Sequence, residues 1–252
     1  MSTDEKQKAG IAKIARRTFL VSAGVVGGGV ALGLALSPNR LKMHRDDVAE
    51  GAEVILNTWV KLTPDNQLTV IIPHSEMGQG VGTGLAQMLA EEMEADWETV
   101  SIEQAPADDR YINSDLGRGY IIGEGAKIPG FVYPMLDFTF LQLAKGLVGQ
   151  ITGGSTAIRL TGYHGMRRAG AAAREMLVKA AAKEWGVSAA SLRAENSLIS
   201  HEASSRSAPF GAFATAAAGY TPNLKPALKA PRDYKIVGTP KRRLDLPGKV
   251  TG

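Results

Sequence analysis

The sequence contains no cysteine, and this absence excludes several kinds of chemistry at once. Without thiols the chain can form no disulfide, no thiolate metal site and no cysteine-ligated iron–sulfur cluster, and it has no cysteine nucleophile. Any electron-transfer cluster that works with this chain is therefore expected in another polypeptide.

Histidine is scarce as well, with four residues in 252. They lie far apart and show neither the H-x-H nor the i, i+4 spacing that is typical of zinc and iron sites. The sequence therefore predicts no metal ion bound directly by protein side chains.

Positive charge is lacking in the middle of the chain, although the formal net charge is +4. Residues 1–36 hold five Lys/Arg and two acidic residues, residues 225–252 hold eight and two, and the region between them has a net charge of −5. A region of that sign does not resemble a polyanion-binding surface, so we expect no nucleic-acid partner. With 44% hydrophobic residues the chain can bury a proper core.

The first 36 residues have the layout of an export signal. After a polar, basic start, Arg16 and Arg17 precede an uncharged run rich in Gly and Ala that ends at Leu36. This pattern predicts a twin-arginine signal and hence export of an already folded protein to the periplasm. A signal anchor is the alternative, because no clean A-x-A cleavage site follows and the segment could remain as a tether to the inner membrane.

The next hundred residues predict the start of an α+β fold with the order β-β-α-β. Residues 54–62 and 67–73 are rich in β-branched residues and are joined by a Pro-Asp-Asn turn, which predicts a hairpin. Apolar residues at helical spacing from Val81 predict an amphipathic helix, and residues 100–104 predict another strand. We expect the glutamates near the end of this helix to lie mostly on its solvent side: Glu91, Glu92 and Glu94.

Further along, a second long helix is predicted from residue 163 to 185, ended by Gly186. A strand at 198–201, a short helix at 210–218 and an extended Pro- and Lys-rich tail over 221–247 follow. Residues 107–150 have no clean periodicity, and we interpret them as a long insertion with one short helix around 133–145.

Two glycine-rich turns are the candidates for chemistry, because each stands directly before a helix. Residues 75–80 read Ser-Glu-Met-Gly-Gln-Gly, and residues 152–156 read Thr-Gly-Gly-Ser-Thr. Such turns present free N–H groups and the positive end of a helix dipole to a phosphate. The amide of Gln79 could recognise a heterocycle such as a pterin. The alternative is that these glycines only make tight turns and that Ser155 or Thr156 only caps a helix.

The pattern of residues as a whole resembles the molybdenum hydroxylases of the xanthine oxidase family. It is most similar to large subunits of the isoquinoline 1-oxidoreductase and membrane-associated aldehyde dehydrogenase type. The similarity covers nearly the whole chain and is carried by the leader and by residues 57–60, 77–80, 103–108, 152–156 and 167–173.

This resemblance implies a molybdopterin cofactor, in its cytosine dinucleotide form. It also implies the residues that hold part of this cofactor: Gly78, Gln79, Gly80, Gly154, Ser155 and Thr156. The family hydroxylates aldehydes or electron-poor N-heteroaromatic carbons, and its electrons leave through an iron–sulfur subunit, with a cytochrome c as a candidate acceptor.

The family's catalytic base lies near the far C-terminus, and neither Glu76 nor Glu124 matches it, so we assign no catalytic residue. We therefore expect three parts: a leader (1–36), a molybdopterin-binding domain (37–224) and a basic linker (225–252). The linker would lead to downstream domains that this chain lacks, either because it is a truncated reading frame or because a separate chain carries them. We therefore expect this chain to be the N-terminal part of a hydroxylase and inactive alone. The alternatives are a stand-alone exported binding or assembly protein for a phosphate-bearing ligand and a membrane-tethered structural protein.

Overall fold

The computed structural model describes residues 49–108 and 151–251, together with 111–112 and isolated positions between 119 and 140. The predicted leader and most of the 107–150 insertion, including most of its predicted helix, lie outside the described residues. The first sheet has four strands in sequence order: β1 (Val54–Asn57), β2 (Val60–Leu62), β3 (Leu68–Ile72) and β4 (Val100–Gln104). The first three strands pair antiparallel, whereas β3 and β4 are parallel.

Helix α1 (Val81–Met93) connects the two parallel strands, as a parallel pair requires. Val81, Leu85, Leu89 and Met93 are at most 1% exposed and face the core, and Met88 is partly buried against it. The hairpin turn, the helix and the strand after it are confirmed, and the described residues form an α+β fold.

The predicted single strand over residues 54–62 is instead two strands, β1 and β2. The side-chain Oδ1 of Asn57 accepts a hydrogen bond from the N–H of Trp59 at 3.0 Å, which turns the chain back on itself. Val60 then pairs with Asn57. The many β-branched residues on both sides of this short turn concealed it in the sequence.

The second long helix begins earlier than predicted. It consists of an α-helical turn (Ser155–Ala157), a π-helical segment (Ile158–Met166) and an α-helical body (Arg167–Trp185), and we call residues 155–185 helix α2. It ends at Gly186, which has φ 66° as the predicted C-cap requires. The wider turns of the π-helix break the 3.6-residue spacing of an α-helix. In the sequence, the apolar pattern of a helix is therefore recognisable only from about residue 163, near the end of the π-helical segment.

A second, three-stranded antiparallel sheet follows, made of β5 (Arg193–Glu195), β6 (Leu198–His201) and β7 (Arg206–Pro209). Helix α3 (Phe210–Ala217) comes next. Strand β6 and helix α3 confirm the predictions, whereas β5 and β7 were missed because they are short and largely polar.

The core lies where α1 and α3 pack on α2. The closest approach of helices is at Gly170 of α2, where an added Cβ would lie 2.2 Å from the backbone oxygen of Leu89. Only a residue without a side chain fits at Gly170. Trp185 of α2 and Phe213 of α3 pack edge to face, with 5.3 Å between their ring centroids.

The C-terminal tail has little regular structure, as predicted: a 3₁₀ turn (Pro231–Asp233) and a short final helix, α4 (Leu246–Thr251). It nevertheless packs on α1. The carboxylate of Glu91 accepts hydrogen bonds from three consecutive backbone N–H groups of the tail, at residues 235–237, and forms an ion pair with Lys229.

The expected solvent exposure of the glutamates in α1 is wrong for two of them. Glu91 is 1% exposed and Glu92 is fully buried. Glu92 pairs with Arg167 of α2 at 2.6 Å and accepts a hydrogen bond from the N–H of Lys229 at 3.0 Å. The helical pattern identified the face of α1 toward the sheet, but it could not show that the tail and α2 cover the polar face.

The charged form of Glu91 is favoured in the folded chain. Burial raises its pKa, but the ion pair with Lys229 and the three N–H donors of the tail outweigh burial, so the pKa is lowered.

No helix among the described residues is both long and apolar enough to cross a membrane.

We expect Gly170→Ala to lower the free energy of unfolding by about 1–3 kcal/mol, because the new methyl group collides with rigid backbone. The matched control is Gly165→Ala in the same helix, where the nearest atom to an added Cβ is 3.9 Å away. That change should leave stability unchanged or raise it by up to ~1 kcal/mol. Urea unfolding followed by circular dichroism measures both, and equal effects would contradict the close packing.

We expect Glu91→Gln to cost about 3 kcal/mol at pH 7, because it removes the buried charge that pairs with Lys229 and leaves that lysine with Glu94 alone, at 2.9 Å. Since the pKa of Glu91 is lower in the folded chain than its ordinary value of 4.5, its stabilisation is complete well above pH 4.5 and is lost as the pH falls through the folded value. The difference in stability between the two proteins should therefore shrink as the pH falls from 6 to 3. Exposed Glu184, changed to Gln, is the control, and a pH-independent difference for Glu91→Gln would refute the argument.

Candidate functional site

The first candidate turn, residues 75–80, lies between the carboxyl end of β3 and the start of α1. Ligands of sheets with parallel strands bind at this edge, beyond the carboxyl ends of the strands. Met77, Gly78 and Gln79 are exposed, and the side chain of Met77 is 71% exposed. The turn is thus accessible at the place where the fold favours binding.

Two glycines of this turn are required by the backbone. Gly78 has φ 101° and Gly80, the N-cap of α1, has φ 78°. Both values lie in the left-handed region that residues with a side chain rarely adopt. The Met-Gly-Gln-Gly pattern therefore has a structural reason beside any functional one.

The carboxylate of Glu76 lies inside this turn and receives its N–H groups. Its Oε1 accepts hydrogen bonds from the N–H groups of Gly78 and Gly80, both at 2.9 Å, and Oε2 accepts one from Gly82 at 3.1 Å. The guanidinium of Arg243, from the tail, lies 3.1 Å from Oε1. The turn thus shows the anion preference that the sequence predicted, but an internal carboxylate satisfies it.

The electrostatics of this arrangement favour the charged glutamate. Burial raises the pKa of Glu76, but the N–H donors and the charge of Arg243 outweigh burial, and the pKa is lowered. Asp245, which Arg243 and Lys249 contact, has a lowered pKa for the same kind of reason, chiefly its hydrogen bond with Arg243.

The side chain of Gln79 joins the two candidate turns. Its Oε1 accepts from the N–H of Met77 at 2.5 Å, and its Nε2 donates to the carbonyls of Ser75 at 2.9 Å and Gly153 at 3.3 Å. Both polar atoms are therefore engaged with backbone. The backbone N–H of Gln79 itself makes no hydrogen bond within the described part of the chain.

His74, which has no predicted role, forms a second link between the two turns. It is 1% exposed; its Nδ1 lies 2.9 Å from the carbonyl of Ile151 and its Nε2 lies 2.7 Å from the hydroxyl of Thr161 in the π-helical segment. Burial lowers its pKa, against the hydrogen bond to Ile151, which raises it. A neutral ring donates from Nδ1 to the carbonyl and accepts from the hydroxyl at Nε2.

The second candidate turn presents the start of α2. Ser155 is exposed, and the N–H groups of Ser155, Thr156 and Ala157 have no hydrogen-bond partner among the residues that the structure describes. The first turn of α2 contains no acidic residue and no capping side chain. Ala157 is fully buried, so the N–H groups of Ser155 and Thr156 are the ones available to a ligand at the positive end of this long helix.

All six predicted site residues thus lie on two turns that touch each other. A Cβ added to Gly154 would lie 3.8 Å from Cγ of Gln79. Three residues that fix these turns were not predicted: His74 links the two turns, and Glu76 and Arg243 hold the first one. Only Glu76 gave a signal, as an acidic residue beside the glycines. No cluster of three or more acidic or histidine side chains that could hold a metal ion occurs in the described ranges.

Comparison with known proteins agrees with the resemblance that the motifs indicate. Residues 6–117, which include the first turn, match the family model of the molybdopterin cofactor-binding domain. The chain is 30% identical to the isoquinoline 1-oxidoreductase subunit beta of Brevundimonas diminuta over 203 residues, 79% of this chain and 21% of that protein.

One further relative and one solved structure were found. The membrane-bound aldehyde dehydrogenase (pyrroloquinoline-quinone) of Gluconacetobacter polyoxogenes is 29% identical over 250 residues, 96% of this chain and 27% of that protein. Quinoline 2-oxidoreductase from Pseudomonas putida 86 aligns in structure with a TM-score of 0.34 and 18% identity, over 67% of this chain and 17% of that one.

The two curated relatives are several times longer than the region they share with this chain, which spans about a fifth and about a quarter of their lengths. The matched residues nevertheless include the strand, turn and helix described above. Residues 6–117 therefore match the molybdopterin cofactor-binding domain, and the chain is homologous to parts of isoquinoline 1-oxidoreductase subunit beta and of the aldehyde dehydrogenase.

Proposed function

We propose that this chain contributes part of the molybdopterin site of a molybdenum-dependent hydroxylase that acts on aldehydes or N-heteroaromatic compounds. The observation that carries the proposal is the contact between the two predicted turns, which places the free N–H groups of α2 beside the Met-Gly-Gln-Gly turn. The match of residues 6–117 to the molybdopterin cofactor-binding domain supports the class of cofactor.

The two turns differ in how many of their N–H donors are available to the cofactor. The N–H groups of Ser155 and Thr156 have no partner among the described residues, and they suit the phosphate or pyrophosphate of a molybdopterin dinucleotide. Ala157 is fully buried, so its N–H is not offered to a ligand. The N–H groups of Gly78 and Gly80 are occupied by Glu76, so that turn offers the N–H of Gln79 and its exposed surface instead. The cofactor's charged part is therefore assigned to α2, and another part of it to residues 78–80.

The bound cofactor would supply the redox chemistry, and this chain would bind and orient it. We assign no catalytic base to the described residues. The cytosine dinucleotide form of the cofactor, an iron–sulfur subunit, a chain with the remaining cofactor-binding domains and a cytochrome c acceptor are parts of the same proposal. The absence of cysteine supports the separate iron–sulfur subunit, and the other three parts rest on the resemblance alone.

The proposed location is the periplasm, reached by the twin-arginine pathway, with attachment to the inner membrane. Arg16 and Arg17 before the uncharged run support export. The printed name of the Gluconacetobacter relative, a membrane-bound enzyme, is in line with attachment.

A second candidate function is a stand-alone exported protein that binds or delivers a phosphate-bearing ligand. One observation favours it: Glu76 and Gln79 satisfy the first turn internally, so the turn needs no ligand and no other chain to be stable. Both candidates share the anion site at α2 and differ in whether molybdenum is present.

The anion site is tested with inorganic pyrophosphate and the full chain. We expect Ser155→Asp to weaken binding roughly tenfold, about 1.4 kcal/mol, because a carboxylate at the helix N-terminus repels the ligand. The neutral, similarly shaped Ser155→Asn is the matched control and should bind like the wild type. Titration calorimetry measures the affinities.

The same Ser155→Asp change should leave the free chain as stable as the wild type or slightly more stable, because an acidic residue favours a helix N-terminus. Weaker binding can then not be attributed to unfolding. Equal affinities of the Asp and Asn proteins for pyrophosphate would refute the assignment of the phosphate to α2.

The redox function is tested on the chain purified with its bound partners from the organism that makes it. We expect molybdenum by elemental analysis and a pterin in the cofactor extract, in equal molar amounts. A complex that contains all its chains but no molybdenum would overturn the hydroxylase proposal and favour the stand-alone binding protein. A quinone in place of the pterin would overturn the assignment of the cofactor.

A further inference from the structure

The tail reaches the candidate cofactor turn through one side chain, Arg243. Its Nη1 donates to the carbonyl of Gly78 at 3.0 Å, and its Nη2 donates to Oε1 of Glu76 at 3.1 Å. Arg243 is therefore the tail residue that contacts both the backbone of the turn and the carboxylate inside it.

Arg243 is itself held in place from the tail side. Asp245 accepts from its Nε at 3.0 Å and from its Nη2 at 2.7 Å, a two-point contact that fixes the plane of the guanidinium. Lys249 of α4 lies 2.7 Å from the same carboxylate. The N–H of Leu244 donates to the hydroxyl of Thr83 in α1 at 3.0 Å, which fixes the intervening backbone.

We propose that Arg243 is a positioning residue for the cofactor turn: it holds Glu76 against the N–H groups of Gly78 and Gly80 and so fixes the shape of residues 76–80. This proposal rests on the proposed function, because a cofactor bound at residues 76–80 is what gives the fixed shape of the turn a functional role. It assigns residues 243–249 to the cofactor site, although the sequence predicted only a linker there.

The chemistry of the contact explains why an arginine is needed. A guanidinium has five N–H donors in one plane, so it can contact Asp245, Glu76 and a carbonyl together. A lysine at this position would keep the charge but would lose this fixed geometry. The neighbouring Arg242 is exposed, and the structure shows no contact of its side chain with any described residue.

The test uses the full chain without ligand and reads the turn directly by NMR. In the wild type, the amide signals of Gly78, Gly80 and Gly82 should follow the titration of Glu76, with a midpoint below its ordinary value of 4.5. In Arg243→Gln we expect this midpoint to move up and the amide exchange of Gly78 and Gly80 to accelerate about tenfold. Arg242→Gln should change neither, and Arg243→Lys should restore the midpoint but not the slow exchange.

Glu76→Gln is a second variant in case Arg243→Gln does not fold. Its side-chain oxygen can still accept from the N–H groups of Gly78 and Gly80, which keeps the turn, although the N–H of Gly82 loses its acceptor. The titration of the three amide signals should vanish. If Arg243→Gln and Arg242→Gln have the same midpoint and the same exchange rates, the positioning role of Arg243 is overturned.

Pyrophosphate separates failure of this inference from failure of the proposed function. Arg243→Gln should bind it several-fold more weakly than Arg242→Gln if the turn is part of the site. If the wild type binds no pyrophosphate while Arg243→Gln still shifts the midpoint, the cofactor site is overturned and the coupling of Arg243 to the turn stands. If Arg243→Gln and Arg242→Gln bind pyrophosphate equally well, Arg243 fixes the turn but the turn is not part of the pyrophosphate site.

Discussion

The burial of two adjacent glutamates on α1 is the constraint on which the rest of this structure depends. A buried carboxylate without a partner is costly, so Glu91 and Glu92 each require a cation from elsewhere in the chain. Glu92 obtains it from Arg167 of α2 and Glu91 from Lys229 of the tail. Arg167 also lies 5.0 Å from the ring centroid of Tyr163. These contacts hold α1, α2 and the tail together, and with them the two turns at the starts of the helices.

The charge distribution of the sequence follows from the same requirement. The basic C-terminal stretch suggested a linker, yet three of its cations pair with acidic residues of the acidic central region: Lys229 with Glu91, Lys235 with Glu195, and Arg243 with Glu76. The basic tail and the acidic centre therefore neutralise each other within one chain. A pI of about 9.2 gives no information about an anionic partner in this case.

Local patterns predicted what depends on local sequence. The turn at residues 63–66, α1, β4 and the C-cap Gly186 follow from spacing and turn residues that lie within a few positions of each other. The split of the first strand depends on one side-chain hydrogen bond of Asn57, and the early start of α2 depends on a π-helical segment; neither has a periodic signal. The candidate turns were found, but contacts such as His74 to Ile151 join residues far apart in sequence, and a single sequence does not reveal them.

Glu76 shows how the site can be ready before any ligand arrives. A glycine-rich turn with three converging N–H groups is unstable when empty, because these donors then lack partners and the glycines have much conformational freedom. The carboxylate supplies partners and fixes the backbone, with Gln79 bridging to Gly153. A site that is already ordered loses little conformational entropy on binding, which raises affinity without additional contacts. The internal anion and the free donors of α2 are therefore complementary: one keeps the turn in shape, and the others remain available to a phosphate.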